Sequence, residues 1–250
     1  MDKALRQLRQ DPTFAPLLKR YGKPVYREHH RPFQALVRSI IYQQVTGKAA
    51  ASILAKFTAL YGEFPTPKQV LATSQEKLRS AGVSPQKSGY ILDLAQKFSD
   101  GTVVESELEH MSNEEVLAHL TRVKGVGVWT VHMFLIFTLG RLDVLPTGDL
   151  GIQKGFKVLY NLRALPTPQK MERLAKPWRQ YASVASWYLW RVADEEKLQK
   201  PTAVVDSRYA RTTSTQHHKT ASRKPNQKRL SRRAATPTRS GKHPQRRVGR

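Results

Sequence analysis

The chain contains no cysteine, which excludes a disulfide scaffold, a thiolate-held iron–sulfur cluster and a cysteine zinc site. It also has no long hydrophobic run: the longest, near Val131–Leu139, is about half of the ~20 residues that a helix needs to span a bilayer. Met1–Gln10 is charged and amphipathic, without the apolar core of a secretory signal, so no membrane association is expected. Acids are scarce as well, with 19 Asp and Glu against 43 Lys and Arg in 250 residues and a net charge of +24. Both parts of the chain share the excess. Residues 201–250 hold 14 basic side chains against the single acid Asp206, giving +13, and residues 1–200 carry the remaining +11. A field of that sign draws in phosphate backbones by counterion release and steering. Nucleic acid is therefore the expected partner, which places the protein in the cytoplasm beside the nucleoid of a bacterium, or in the nucleus of a eukaryote.

Beyond Pro201 the apolar residues needed for a core give way to Arg, Lys, Ser, Thr, Pro and Gln, so residues 201–250 read as a disordered basic tail. It could tether DNA electrostatically, carry a localisation signal around Arg223–Arg233, or be a solvated tail only. Residues 1–200 read as one folded region. Their apolar positions recur every three to four residues, as in Phe33, Leu36, Val37, Ile40 and Ile41, and again in Ile53, Leu54, Phe57 and Leu60. Ser84-Pro85 marks one helix start, and Ser112 with Glu115 forms a capping-box pattern at another. Alternation with a period of two is missing. The expected fold is all-α, and about 200 residues can bury one substantial core or two small lobes.

The segment from Thr121 to Thr130 (Thr-Arg-Val-Lys-Gly-Val-Gly-Val-Trp-Thr) lies between a helix ending near Leu120 and an apolar helix beginning near Val128. Gly125 and Gly127 permit a tight turn and leave backbone N–H groups unobstructed at the positive end of the following helix, a geometry suited to phosphate. Arg122 and Lys124 add charge, and Thr130 adds a hydroxyl. A dinucleotide fingerprint fits poorly, because no strand precedes the turn and Thr130 occupies the position of its third glycine. Further on, Asp149 follows Pro146-Thr147-Gly148 and precedes the helical spacing of Leu150, Ile152 and Phe156, so it reads as an N-cap. The intervening helix rises roughly 18 Å and the loop 140–148 extends to about 30 Å, enough to return Asp149 to the hairpin.

These segments together resemble the helix-hairpin-helix superfamily of DNA glycosylases: the hairpin Val123–Thr130, then Leu145-Pro146-Thr147-Gly148-Asp149. Two further segments are similar to its alkylbase-removing branch, the DNA-3-methyladenine glycosylase II family. They are Ile40-Ile41-Tyr42-Gln43-Gln44-Val45, and Pro177-Trp178-Arg179 running into Ala185-Ser186-Trp187-Tyr188-Leu189-Trp190. The likeness covers roughly residues 32–193.

The resemblance implies a monofunctional glycosylase that extrudes an alkylated purine from double-stranded DNA and hydrolyses its N-glycosidic bond, acting as a monomer. A cleft between two helical lobes is implied, one built around the hairpin and Asp149, the opposite wall formed by N-terminal and C-terminal helices including Trp187, and Asp149 matches the catalytic aspartate. Gly125 and Gly127 match the residues whose amides hold a phosphate, with Thr130 assisting, and Gln44 takes the place of the side chain that fills the vacated stack. Trp129 and Trp187 match pocket aromatics that stack on the base, with Met133 in the same pocket. The carbonyls of Thr121, Val123 and Val126 match a turn that binds a monovalent cation, sodium or potassium, and no other cofactor is implied. Lysine nucleophiles of strand-nicking relatives correspond to Trp129, so Schiff-base chemistry is not expected.

Two departures accompany the likeness. Met133 stands where the bacterial pattern has a tyrosine, and the ~30 residues before Pro32 cannot supply that pattern's β-rich extension. Eight histidines show no metal-ligand spacing. Two alternatives stay open: a glycosylase of the same superfamily for another damaged or mismatched base, and a noncatalytic DNA-binding module.

Overall fold

The computed structural model describes residues 1–26 and 31–199, and the tail expected over 201–250 lies outside them. The described residues are helical throughout, with no strand among them. Twelve α-helices run in order: α1 Asp2–Gln10, α2 Ala15–Tyr21, α3 Pro32–Tyr42, α4 Gly47–Ala59, α5 Pro67–Leu71, α6 Gln75–Ser80, α7 Pro85–Ser99, α8 Asn113–Leu120, α9 Val128–Phe137, α10 Leu150–Leu159, α11 Pro168–Ala175 and α12 Ala182–Gln199.

Local sequence sets these boundaries. The Ser84 side chain accepts from the Lys87 amide at the start of α7, where Pro85 supplies a pre-set φ at a position needing no donor. Ser112 and Glu115 close a reciprocal capping box on α8. Each such cap satisfies amides that the helix cannot satisfy itself, typically contributing about 1 kcal/mol.

Two hydrophobic cores give the two lobes. The first contains Leu36, Ile40, Ile41, Phe57, Leu78, Ile91, Leu94, Val131 and Phe134, and is built by α3 to α9. The second gathers Leu8 and Phe14 from the N-terminal helices with Phe156, Trp178, Tyr188 and Leu189 from α10 to α12. After the passage from α2 to α3, the chain crosses back at residues 144–145, since Val144 belongs to the first core and Leu145 to the second. Ser183 fastens this crossing: its amide donates to the Leu142 carbonyl at 2.9 Å, and its buried hydroxyl accepts from the Val144 amide at 3.1 Å.

Helices α10 and α12 meet closely because α10 presents glycine at two positions four apart on one face. A Cβ on Gly155 would lie 2.4 Å from the Leu189 carbonyl oxygen, and one on Gly151 would lie 2.8 Å from the Trp190 ring. Both positions require the missing side chain. The sequence led us to place Asp149 in the same lobe as the hairpin. The structure corrects this: the hairpin joins α8 to α9 in the first lobe, whereas Asp149 opens α10, which packs into the second. The crossing lies only a few residues before Asp149, and so the aspartate stands at the boundary.

Candidate active site

Asp149 is the N-cap of α10, and three donors hold its carboxylate. Oδ1 accepts from the Ile152 amide at 2.8 Å and from the Trp190 indole N–H at 2.8 Å, and Oδ2 accepts from the Trp129 indole N–H at 2.7 Å. An oxygen with two donors has both lone pairs engaged, so the free lone pair of this carboxylate is on Oδ2. The two indoles come from different helices: Trp129 is in the first turn of α9, and Trp190 is in α12. Trp190 is fixed in turn by stacking on Phe137, with ring centroids 5.8 Å apart.

Both indoles also line a pocket of about 740 Å³, within the roughly 300–1,000 Å³ common for small-molecule sites. Its walls come from both lobes, with Tyr42 ending α3 and Gln44 just beyond it, Met133 and Phe137 on α9, and Trp187 and Trp190 on α12. Asp149 stands behind the indole edges rather than in the wall itself. Two cations face the same space. The Arg38 guanidinium lies 4.5 Å from the Tyr42 ring centroid and that of Arg191 lies 4.6 Å from the centroid of Trp187. Tyr26, also in the wall, has its hydroxyl pKa pushed up to about 12 by burial and the neighbouring Tyr188, so it remains a neutral donor at physiological pH.

The glycine hairpin adjoins this site through Trp129. Gly125 takes φ +79°, and a Cβ there would fall 2.2 Å from the Tyr90 ring, so the position admits only glycine. Gly127 is the N-cap of α9 and gives it no side-chain hydrogen bond, and a Cβ on Gly127 would meet nothing within 4 Å. The amides of the first turn of α9 are therefore presented at an open surface, at the positive end of the helix. The Val126 amide closes the turn onto the Val123 carbonyl at 3.0 Å.

The sequence-predicted residues converge with two adjustments. Asp149, Trp129, Trp187, Met133 and Gln44 gather at one pocket and its rim, and Gly125, Gly127, Thr121, Val123 and Val126 form the adjoining turn. Thr130, however, is only 4% exposed, because it lies on the face of α9 turned to the core, so its hydroxyl is not displayed beside the hairpin. Its first-turn amide is what it can offer. Trp187 is in the wall as expected, but Arg191 already occupies a face of its indole. Sequence reasoning missed Trp190 as a partner of Asp149. Its signals were the three-residue spacing from Trp187 and the glycine two residues after Asp149, which clears room for an indole. Among the described residues no cluster of His, Asp and Glu could hold a metal.

With this geometry established, comparison with known proteins is direct. The family described as HhH-GPD superfamily base excision DNA repair protein matches residues 37–180, from α3 through the hairpin and Asp149 to the approach of α12. The chain belongs to this superfamily. Among its relatives, the alkylbase DNA glycosidase-like protein mag2 of Schizosaccharomyces pombe is 36% identical over 188 residues, which cover 73% of this chain and 88% of mag2. Two solved structures are similar over most of the chain. The 3-methyladenine DNA glycosylase Mag1 of Schizosaccharomyces pombe, solved with abasic DNA, shares 32% identity with a TM-score of 0.66, covering 76% of this chain and 96% of that one. A DNA-3-methyladenine glycosidase from Bacillus halodurans shares 35% with a TM-score of 0.72, covering 78% and 91%.

Proposed function

We propose that the protein is a monofunctional base excision repair glycosylase that takes an alkylated purine, 3-methyladenine or 7-methylguanine, out of double-stranded DNA and leaves an abasic site. The observation that carries this reading is the Asp149 carboxylate, held by one amide and by the N–H groups of two indoles that line an aromatic pocket, beside a hairpin with open amides. The amides of the hairpin and of the first turn of α9 grip a phosphate next to the lesion. Gln44, exposed at the pocket rim, enters the stack as the base leaves it.

In the pocket the C1′–N bond breaks heterolytically. Its electron pair goes to the purine, whose positive charge it neutralises, so the base departs without a proton from a general acid. The sugar becomes oxocarbenium-like, and the free lone pair of Asp149 Oδ2 faces that charge. Water then adds to C1′, and its proton passes to Asp149 or to solvent. Trp129 stands where a lysine nucleophile would be needed for strand nicking, so the reaction ends at the abasic site.

The carbonyls of Thr121, Val123 and Val126 fit a sodium or potassium ion: they are hard oxygen donors on one tight turn, and the Val123 carbonyl keeps a second lone pair beside its bond to Val126. Such an ion would stiffen the turn. The protein acts as a monomer on DNA.

The test is to incubate the protein with methylated duplex DNA and identify the free bases. Release of 3-methyladenine or 7-methylguanine is the expected result, and release of no base overturns the reading. One observation favours a second lesion class: Arg38 and Arg191 line the pocket while no acid does, so a cationic purine meets like charge there, with Arg191 already on one face of Trp187. Duplexes with hypoxanthine in place of the methylated base separate the two, since only a pocket suited to neutral bases turns them over.

A further inference from the structure

Helix α7 carries four side chains that reach the DNA-facing surface at two separate places, and none has a part in the reaction above. Lys87 Nζ donates to the carbonyls of Ile41 at 2.8 Å and Gln43 at 2.7 Å, the open end of α3 from which Gln44 follows. One turn on, the Tyr90 ring fills the space where Gly125 would carry a Cβ, and Gln86 Nε2 donates to the Tyr90 hydroxyl at 2.7 Å. Asp93, a further turn along, accepts from the Lys124 amide at 2.8 Å. Residues 86, 90 and 93 share a face of the helix with 87 beside them. The loop of contacts closes through Gln43, whose Nε2 donates to the Gly125 carbonyl at 2.8 Å.

Two features show that this assembly is held under load. Gln44 takes φ +54°, a left-handed conformation that is strained for a non-glycine residue and persists only where its surroundings fix it. Lys87, partly buried, has its pKa lowered by desolvation, and the two carbonyls offset part of the lost hydration.

We infer that α7 is a bracket that fixes the separation between the Gln44 turn and the glycine hairpin, with Lys87 as a positioning residue for entry into the duplex. The inference rests on the proposed reading, in which the Gln44 turn enters the stack while the hairpin grips the backbone. Insertion and grip must act on neighbouring nucleotides at once, so any play between them is taken up before the base is out. A rigid spacer removes that loss, in the same way that preorganised supports sharpen other sites.

The experiment is single-turnover release of 7-methylguanine from two duplexes, one with the lesion opposite cytosine and one with it opposite a mismatched thymine. A mismatched base needs less work to extrude, so the bracket matters less there. Lys87→Met should slow release from the paired duplex by about tenfold, in keeping with loss of charged hydrogen bonds, and leave the mismatched rate within about twofold of wild type. Gln43→Leu cuts the tie to the hairpin while leaving Lys87 in place, so it carries the same expectation and keeps the test decisive should Lys87→Met fail to fold. Equal slowing on both duplexes, or none on either, overturns the bracket. Release of no base by the wild type from either duplex instead overturns the glycosylase reading, and this inference with it.

Discussion

Helices α9 and α10 start side by side and in opposite ways. Helix α9 begins at Gly127 with no side chain over its first amides, whereas α10 begins at Asp149, which accepts from its own third residue. Both starts present the positive end of a helix, yet one is left bare and the other is filled. The difference assigns them separate anions. The bare end is available to a phosphate from outside, and the filled end holds a carboxylate of the protein in one orientation. Trp129 joins the two, since it lies in the first turn of α9 and donates to the cap of α10.

The largest expected effect comes from changing the anion of the filled end while keeping the cap. Asparagine caps a helix about as well as aspartate, so Asp149→Asn should fold normally and still bind abasic DNA. Release of methylated base should fall by about 10²–10³-fold, the scale on which preorganised electrostatic groups act. Single-turnover release and binding titrations measure the two quantities. Undiminished release would leave Asp149 a cap and nothing more. Asp149→Ala removes the cap also, and its urea midpoint should drop by an amount equivalent to about 1 kcal/mol.

Next in size is Trp190→Phe. Phenylalanine keeps the stack on Phe137 but loses the donor to Oδ1, freeing that oxygen to turn. Release should slow by about tenfold, as for a lost hydrogen bond to a charge, with abasic-DNA affinity unchanged. A matching loss of affinity would mean that Trp190 supports the DNA-binding surface and not the carboxylate.

The helices, the hairpin and the capping role of Asp149 were legible in the sequence because each rests on local pattern: apolar spacing, paired glycines, and a capping residue ahead of a periodic run. The family likeness then gave Asp149 its chemistry. Trp190, Arg191 and Lys87 were not legible, because their roles depend on which helices meet. Trp190 reaches Asp149 only because Gly151 and Gly155 let α10 approach α12. Thr130 failed for a related reason. Its position in the motif fits a surface hydroxyl, but α9 is apolar around most of its circumference and buries the residue against the first core.

The bare end of α9 is tested by two glycines that look alike in sequence. At Gly125 an added methyl group meets the Tyr90 ring and a positive φ, so Gly125→Ala should destabilise the fold by about 1–3 kcal/mol, visible in chemical denaturation. Gly127, with φ −97° and open space around it, should accept alanine with a stability change within about 0.5 kcal/mol. Its methyl group would nevertheless stand over the open amides and keep a phosphate away. Gly127→Ala should therefore bind DNA more weakly while unfolding as the wild type does. If it binds as tightly as wild type, the phosphate sits elsewhere.

The smallest effect separates the helices by pH. His132 lies on α9 just beyond the first turn, and its pKa is lowered from 6.5 by burial, with the nearby Arg179 adding to the shift. The folded protein thus favours the neutral ring, while the unfolded chain titrates near 6.5. Below that value the unfolded state binds more protons, so stability falls with pH. The contribution is present in full above pH 6.5 and is lost as pH drops through the lowered folded value. Replacing the ring by an amide that does not titrate, His132→Gln, should flatten the dependence of the urea midpoint on pH in this window. A slope as steep as that of the wild type would show that acid acts on the protein through groups other than this one, and that α9 is no more sensitive to protons than α10.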